Sequence, residues 1–447
     1  MTRDLAALAD QLITIAKKAG ADAADAIVVD GTSISIEVRG GALENAERSE
    51  GIDLGLRAFV GQRQACVSSS DARPETLETM AERAIAMARE APEDPHAGLA
   101  DPAQLATDRD YTPLELYDPT PEPDPATLQD TALQAEAAAR AVDGVTQVQC
   151  STGYSRRRFY LAASNGFVGG YDRTSHGLTC EAITGSGTEM ERDFDYDSRI
   201  FQADTRSPTD IGRTAAERAV ARAGSRRPKT GQYPVLFDER IASSLVSHLL
   251  GAVNGATIAR GSSWLLDALD EQVLPAGMSL HENPHRKRSG ASRLFDAEGL
   301  ATKPRTIVGN GILKGWTLDL GTARKLGLES TASASRGTSS TPSPSLSNVV
   351  LTPGDQSRED LLKEMGTGLM ITSLIGSTIN PITGDYSRGA SGFWVENGEI
   401  TYPVNECTVA GNLREMLLGM KAANDAREYL RLVVPSLLVE GLTLAGD

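Results

Sequence analysis

Apolar residues Leu5, Leu8, Leu12 and Ile15 recur at helical spacing, and Gly20 follows them as a stop, so the chain opens with an amphipathic helix. The pattern then changes to period two. "SISIEVR" alternates Ile34, Ile36 and Val38, and "DLGLRAFV" alternates Leu54, Leu56, Ala58 and Val60, which predicts two strands. Pro74 opens a second helix with an apolar stripe of Leu77, Met80, Ala84 and Met87. The same order returns further on. A helix covers about 126–142, strand pattern runs from Val145 to about Ser198 with a turn signal at Asn165-Gly166, and a helix starts at Ser207-Pro208-Thr209-Asp210 with Ser207 as its N-cap. Helix, strands, helix occurs twice in the first 225 residues, which points to an internal duplication.

Residues 91–126, with "APEDPHAG" and "LYDPTPEPDP", read as a surface connection or extended linker, and "GSRRPKTGQ" (224–232) reads as a boundary. The expected domains are therefore an N-terminal α/β domain over 1–225 and a C-terminal domain over 232–447. The second begins with the short strand "YPVLF" and a helix capped by Asp238, with Ile241, Leu245 and Leu249 on one face. It then turns strand-rich. Asn310-Gly311 and Asn397-Gly398 are hairpin signals, short helices start near Ser357 and Asn412, and the tail is a strand broken at Pro435. The fold class expected is α+β in two domains, the second mixed and largely antiparallel. Residues 330–348, rich in Ser, Thr and Pro, fit either a lid or a disordered spacer.

Composition narrows the function. A net charge of −16 repels phosphate backbones, so nucleic-acid binding is not expected. The clusters Arg156-Arg157-Arg158, Arg226-Arg227-Pro228-Lys229 and Arg286-Lys287-Arg288 are read as solvated turns. Cys66, Cys150, Cys180 and Cys407 lie far apart with no C-x-x-C pair, which suggests reduced thiols in a cytosolic protein. The first twenty residues carry charges throughout and are not read as a signal peptide, and no apolar run is long enough to span a bilayer. A cytoplasmic protein with no membrane contact is the expectation.

One stretch carries a metallopeptidase pattern. "HENPH" places His281, Glu282 and His285 at His-Glu-x-x-His spacing. That chemistry needs both imidazoles one turn apart on a helix, with the Glu activating a metal-bound water. Pro284 disfavours helix at Asn283, no histidine follows His285, and the flanks lack apolar periodicity. The stretch is read as a decoy, a loop whose histidines meet backbone or solvent. His248, within the apolar helix after Asp238, is read as a satisfied core or interface residue, and His96 and His176 carry no ligand role.

Longer stretches carry a resemblance: "LFDAEGLATKPRTIVGNGILKGWTLDLGTARKLGLEST" (294–331), the segment 348–413 with "GDYSRGASGFWVENGEI", "RGSSWLLD" (260–267), and residues 36–59. Together they resemble the TldD/TldE (PmbA) family over nearly the whole chain, and the wording of 384–400 is similar to the TldE (PmbA) branch. The resemblance implies a two-domain protein linked to a cytosolic zinc metallopeptidase. In the TldD branch a His-Glu-x-x-x-His helix and a C-terminal Cys hold the zinc. With Arg260-Gly261-Ser262-Ser263 aligned to the family's Arg-Gly-Thr-Ser, the two histidines fall on Val246 and Gly251 and the Glu on Ser247, while His248 is out of register. No cysteine follows Cys407, which lies too early to match. The resemblance thus implies a non-catalytic subunit that binds no cofactor itself. It would pair with a zinc-bearing TldD-type partner and shape a channel for unstructured peptides. Asp385, Tyr386, Ser387 and Arg388, in "TGDYSRGASG", are the cleft candidates, with a structural turn and an internal Asp–Arg pair as the alternative. The other functional readings are a metallopeptidase active in its own right and a homodimeric peptide-binding or regulatory protein without catalysis.

Overall fold

The computed structural model describes residues 4–447. Helix α1 (Leu5–Lys18) is N-capped by Asp4, whose side chain accepts from the Ala7 N–H at 3.0 Å. Strands β1 (Ala23–Arg39), β2 (Ala42–Val60) and β3 (Arg63–Ser69) follow, then helix α2 (Pro74–Glu90) with Pro74 in its first turn. The second set is α3 (Pro125–Arg140), β4 (Val145–Ala163), β5 (Val168–Thr184), β6 (Glu191–Arg199) and α4 (Pro208–Ala221). The strands form one antiparallel sheet in the order β3-β2-β1-β4-β5-β6. The two helix–strands–helix units thus meet at the central β1–β4 pair, so the repetition visible in the sequence is present in the topology.

Strand alternation decides what covers the sheet. Ala24, Ala26 and Val28 of β1 pack with α1 and α2, and Ile34, Ile36 and Val38 pack with α3 and α4. All six share parity and hence one face of the strand. The other parity, including Ile27, Leu161 and Tyr171, gathers around Phe295 from the second half of the chain. Ser207 sits at the N-cap position of α4 but makes no capping bond. Its hydroxyl instead pairs with that of Thr209 at 2.7 Å, which corrects the sequence expectation.

The second half begins with strand β7 (Gly231–Phe237) and helix α5 (Glu239–Ala252). β7 pairs in parallel with Gly368–Ile379 and antiparallel with Leu437–Ala445. Asp385–Glu396 and Glu399–Asn412 complete the ring, because Glu399–Asn412 also pairs with Leu437–Ala445, and the sheet closes into a five-stranded barrel. A second sheet runs Ile312–Leu313, Arg305–Gly309, Leu280–Glu282, Val349–Leu351, Leu432–Val433. Both later Asn-Gly pairs turn hairpins with positive φ at each residue: Asn310 51°, Gly311 82°, Asn397 54°, Gly398 80°.

Several expectations need correcting. Residues 91–126 do not form an extended linker. Leu114 and Leu116 are buried, Ala106 N–H donates to Gly299 O (2.9 Å), and Arg324 donates to the carbonyls of His96, Gly98 and Leu99. Apolar side chains and backbone carbonyls thus strap this segment to the second half. The Ser-rich 330–348 segment is also ordered: Ala334–Ser335 pairs with Ser343–Pro344, and Arg336 reaches Asp25 of β1. The tip of this segment lies so close to β2 that a Cβ on Gly55 would sit 2.3 Å from Thr338 O. The basic cluster 156–158 lies on β4 rather than in a turn, with Arg156 and Arg158 paired to Asp172. Of the other two clusters, Lys287 and Arg288 are exposed in a turn as expected, beside Glu115 and Asp204, and Arg226, Arg227 and Lys229 are exposed, with Arg227 beside Glu406.

Candidate functional site

A cavity of about 640 Å³ lies between β6, α5 and the barrel strand Gly368–Ile379. Its walls follow from two inverted patterns. On α5, Ala242, Leu245, Val246, Leu249 and Ala252 enter the core. The opposite stripe, Arg240, Ser243, Ser244, Ser247 and His248 at helical spacing, lines the cavity. Asp238 fixes the start of the helix by accepting from Arg240 N–H at 3.1 Å. On β6, "ERDFDYDSR" turns its acids inward. Glu191, Asp193, Asp195 and Asp197 are buried while Phe194 and Tyr196 are exposed and stack at 6.1 Å. Buried carboxylates need partners. Asp193 pairs with Arg240 (3.1 Å) and Arg222 (3.7 Å), Asp195 with Arg218 (2.9 Å) and Arg206 (2.8 Å), and Asp197 with Arg199 (2.8 Å).

The polar groups behind the cavity are less well satisfied. Ser244 Oγ, His248 Nε2, Thr372 Oγ1 and Tyr386 OH are buried atoms without a hydrogen-bond partner. Such groups cost stability unless something accepts or donates to them. Burial, with Arg388 nearby, pushes His248 down to about 4, so its imidazole is neutral at pH 7. Tyr386 packs edge-on against it, with ring centroids 6.0 Å apart, and burial pushes the phenol up to about 12. Arg388 contributes to the cavity wall and donates Nε–H to Gly376 O at 2.7 Å.

The sequence candidates separate here. Asp385, Tyr386, Ser387 and Arg388 lie on a strand and not in a loop, because Asp385–Glu396 has ladder partners on both sides. Alternation sends Tyr386 and Arg388 to one face and Asp385 and Ser387 to the other. Asp385 does not pair with Arg388. It accepts from Thr383 Oγ1 (2.6 Å) and Asn412 Nδ2 (3.2 Å), and these two bonds lower its pKa. His248 is not a satisfied core residue; its place on the serine stripe of α5 was the signal that could have found it. The alternation of acids and aromatics in β6 was a second such signal.

The residues matched to a zinc motif do not fit a metal. Val246 is buried in the core and Gly251 offers no side chain. Ser247 Oγ donates to Ser243 O at 2.8 Å. The stretch 281–285 is only partly the expected loop: Pro284 and His285 lie in a turn, but His281 and Glu282 do not. Leu280–Glu282 is a strand with ladder partners on both sides, so His281 and Glu282 point to opposite faces. Glu282 is buried and accepts from Arg305 Nε (2.7 Å), Ser347 N–H (2.6 Å) and Ser347 Oγ (2.9 Å). His281 meets Thr306 Oγ1 and His285 meets Thr302 Oγ1, both at 3.1 Å. Among the described residues, no group of three or more His, Cys, Asp or Glu side chains is placed to hold a metal ion, and no helix is long and apolar enough to cross a membrane. All four cysteines are free thiols.

Comparison with known proteins places this geometry. Models of the PmbA/TldA metallopeptidase domain 1, central domain and C-terminal domain match residues 24–88, 118–223 and 230–446. The metalloprotease PmbA of Escherichia coli O157:H7 is 37% identical over 431 residues, covering 95% of this chain and 93% of that protein. A solved structure described as a putative modulator of DNA gyrase, from Bacteroides thetaiotaomicron, superposes with a TM-score of 0.91 at 28% identity, covering all of both chains. TldE from Thermococcus kodakarensis shares the fold, with a TM-score of 0.85 at 21% identity over 98% of this chain and 100% of that one. On these matches along its whole length, the chain belongs to the PmbA/TldD family of metallopeptidases.

Proposed function

We propose that this chain is a TldE-type, non-catalytic subunit of a cytoplasmic zinc metallopeptidase complex. It receives unstructured peptides in the cavity between β6 and α5, while a TldD-type partner supplies the zinc and the water that attacks the peptide bond. The observation that carries this reading is the donor set on α5. Val246, Ser247 and Gly251 offer one hydroxyl, already bonded to the helix backbone, and no imidazole or carboxylate.

The rest of the cavity suits an extended peptide. Ser244, Thr372 and neutral His248 are uncommitted groups that can exchange hydrogen bonds with peptide N–H and C=O. Arg388 brings positive charge for a carbonyl or a terminal carboxylate. Phe194 and Tyr196 offer apolar surface to side chains. Straight strand addition along β6 is hindered at Phe194, whose N–H is taken by Asp193 (2.8 Å) and whose carbonyl is taken by Arg218 (3.2 Å).

The test combines metal and activity. The purified chain, dialysed against metal-free buffer, is expected to hold far less than one zinc and to leave an unstructured peptide intact. Mixed with a TldD-type subunit, it is expected to co-elute with that subunit and support cleavage. One zinc per chain, or cleavage by the chain alone at the rate of the mixture, would overturn the reading.

A further inference from the structure

A second cavity, about 320 Å³, lies between the central sheet and the Ser-rich segment, on the face of the sheet opposite the four helices. Four arginines line it, Arg173, Arg293, Arg336 and Arg431, with Asp296 the only acid. This concentration of positive charge is notable in a chain of net charge −16. Asp296 does not neutralise it by pairing, because its oxygens accept from the N–H groups of Glu298 (2.9 Å), Leu300 (3.0 Å) and Ala334 (3.0 Å).

The guanidinium groups are held in place yet left with spare donors. Arg293 is fixed by the carbonyls of Ala334 (3.2 Å) and Ser345 (2.7 Å), and Arg173 by Ser292 O (2.9 Å). Arg336 is anchored through one nitrogen to Asp25, and its side chain is 2% exposed. The Nε–H groups of Arg173, Arg293 and Arg336 and the Nη2 of Arg336 are buried without any acceptor. A guanidinium is always charged, and its N–H groups form a planar fork suited to a carboxylate or phosphate. Burying several such donors without acceptors is costly, so the site suits an anion that can accept from them. The remaining wall is aromatic. Phe159 and Tyr171 stack at 5.2 Å, and Phe295 stands against Tyr171 at 6.2 Å with its ring tilted by 69°. The volume is at the small end for ligand sites and fits a single ring with its substituent.

We propose that this cavity is a binding site for a small oxyanion, a carboxylate or phosphate, borne on an aromatic body. Arg336, Arg293 and Arg173 hold the anion, and Phe159, Tyr171 and Phe295 hold the ring. The site is separate from the peptide cavity and does not depend on the reading given for it. Because its walls come from both the sheet and the Ser-rich segment, occupancy would stabilise their junction.

The test is calorimetric titration of the full chain with phenyl phosphate, benzoate, inorganic phosphate and phenol. Saturable one-to-one binding of phenyl phosphate or benzoate is expected, the tighter of the two identifying the oxyanion, with inorganic phosphate and phenol each weaker. Arg173→Met is expected to weaken binding by about tenfold or more, since it removes a charge-assisted donor. Gly290→Leu, at an exposed position of the cavity rim with nothing within 4 Å of an added Cβ, is expected to do the same by narrowing the entrance and serves as the second variant should Arg173→Met not fold. No saturable binding of either aromatic anion, or binding that both folded variants leave unchanged, overturns the proposal. Inorganic phosphate binding as tightly as phenyl phosphate overturns the aromatic assignment.

Discussion

Asp25 sits between Arg57 and Arg336, and replacing it with Asn tests what joins the N-terminal sheet to the Ser-rich segment. The side chains of Arg57, Asp25 and Arg336 are 4%, 3% and 2% exposed. Arg57 Nε donates to Asp25 Oδ2 at 2.9 Å, and Arg336 takes the other oxygen. Burial alone would raise the Asp25 pKa, but Arg336 and Arg57 more than offset it, so the carboxyl is held below its ordinary value. Asn keeps the shape, removes the charge, and turns an NH₂ toward one of the guanidinium groups. Removing one partner of a buried ion pair costs roughly 3–5 kcal/mol, most of it from the charge left behind. Asp25→Asn is therefore expected to destabilise by about 3 kcal/mol or more in guanidinium unfolding followed by far-UV circular dichroism. Tryptophan fluorescence alone would miss part of this, since Trp264, Trp316 and Trp394 all lie in the second half. Limited proteolysis between residues 337 and 342 is expected to accelerate, because Arg336 loses its anchor. A double variant with Arg336→Met should recover part of the loss, with a coupling of about 0.5–3 kcal/mol. The sign with pH follows from the lowered pKa. The stabilisation is present above the unfolded value near 3.8 and is lost as pH falls through the lower folded one. A change below about 1 kcal/mol, with proteolysis unaltered, would refute the triad as the fastening between these elements.

His248 is held near 4, below its ordinary 6.5, so its proton NMR titration should show a midpoint well under 5; a midpoint near 6.5 would mean that the imidazole is solvated. The linked stability is complete above pH 6.5 and declines as pH falls toward 4, a slope that His248→Gln should remove. Glu298 behaves in the opposite sense. Burial first, then neighbouring Asp296, raises it to about 8, so stability should decline as pH rises from the unfolded value near 4.5 to about 8, and Glu298→Gln should flatten the curve in urea unfolding. Arg388→Met is expected to lower cleavage by the complex with a TldD-type subunit about tenfold or more through loss of a charge-assisted contact. Co-elution of the two subunits should persist, and unchanged cleavage would remove Arg388 from the peptide site.

Local signals were strong in this chain and specified much of its local structure. Period two marked β1 and the inner half of β2, Asn-Gly placed two hairpins with positive φ, and the N-cap Asp238 and the Ser357–Asp360 capping box placed the starts of α5 and of Arg358–Met365. The repeated helix–strands–helix order and the family resemblance were likewise legible, because both live in long stretches of sequence. Tertiary structure decided which residues meet. "HENPH" has the spacing of a zinc helix, but its first two residues belong to a strand, where His281 and Glu282 diverge, and His285 lies in the turn that follows. Asp385 and Arg388 were plausible turn partners until pairing on both sides put them on opposite faces. The Ser-rich segment has no apolar periodicity, and it is ordered by contacts with β1 and β2, the Arg336–Asp25 pair spanning 311 residues of sequence. The arginine cavity drew Arg173, Arg293, Arg336 and Arg431 from widely separated segments. Periodicity and capping act over a few residues, so sequence alone can reveal them. Charge pairing, burial and cavity shape depend on chain segments far apart, and only the folded arrangement sets them.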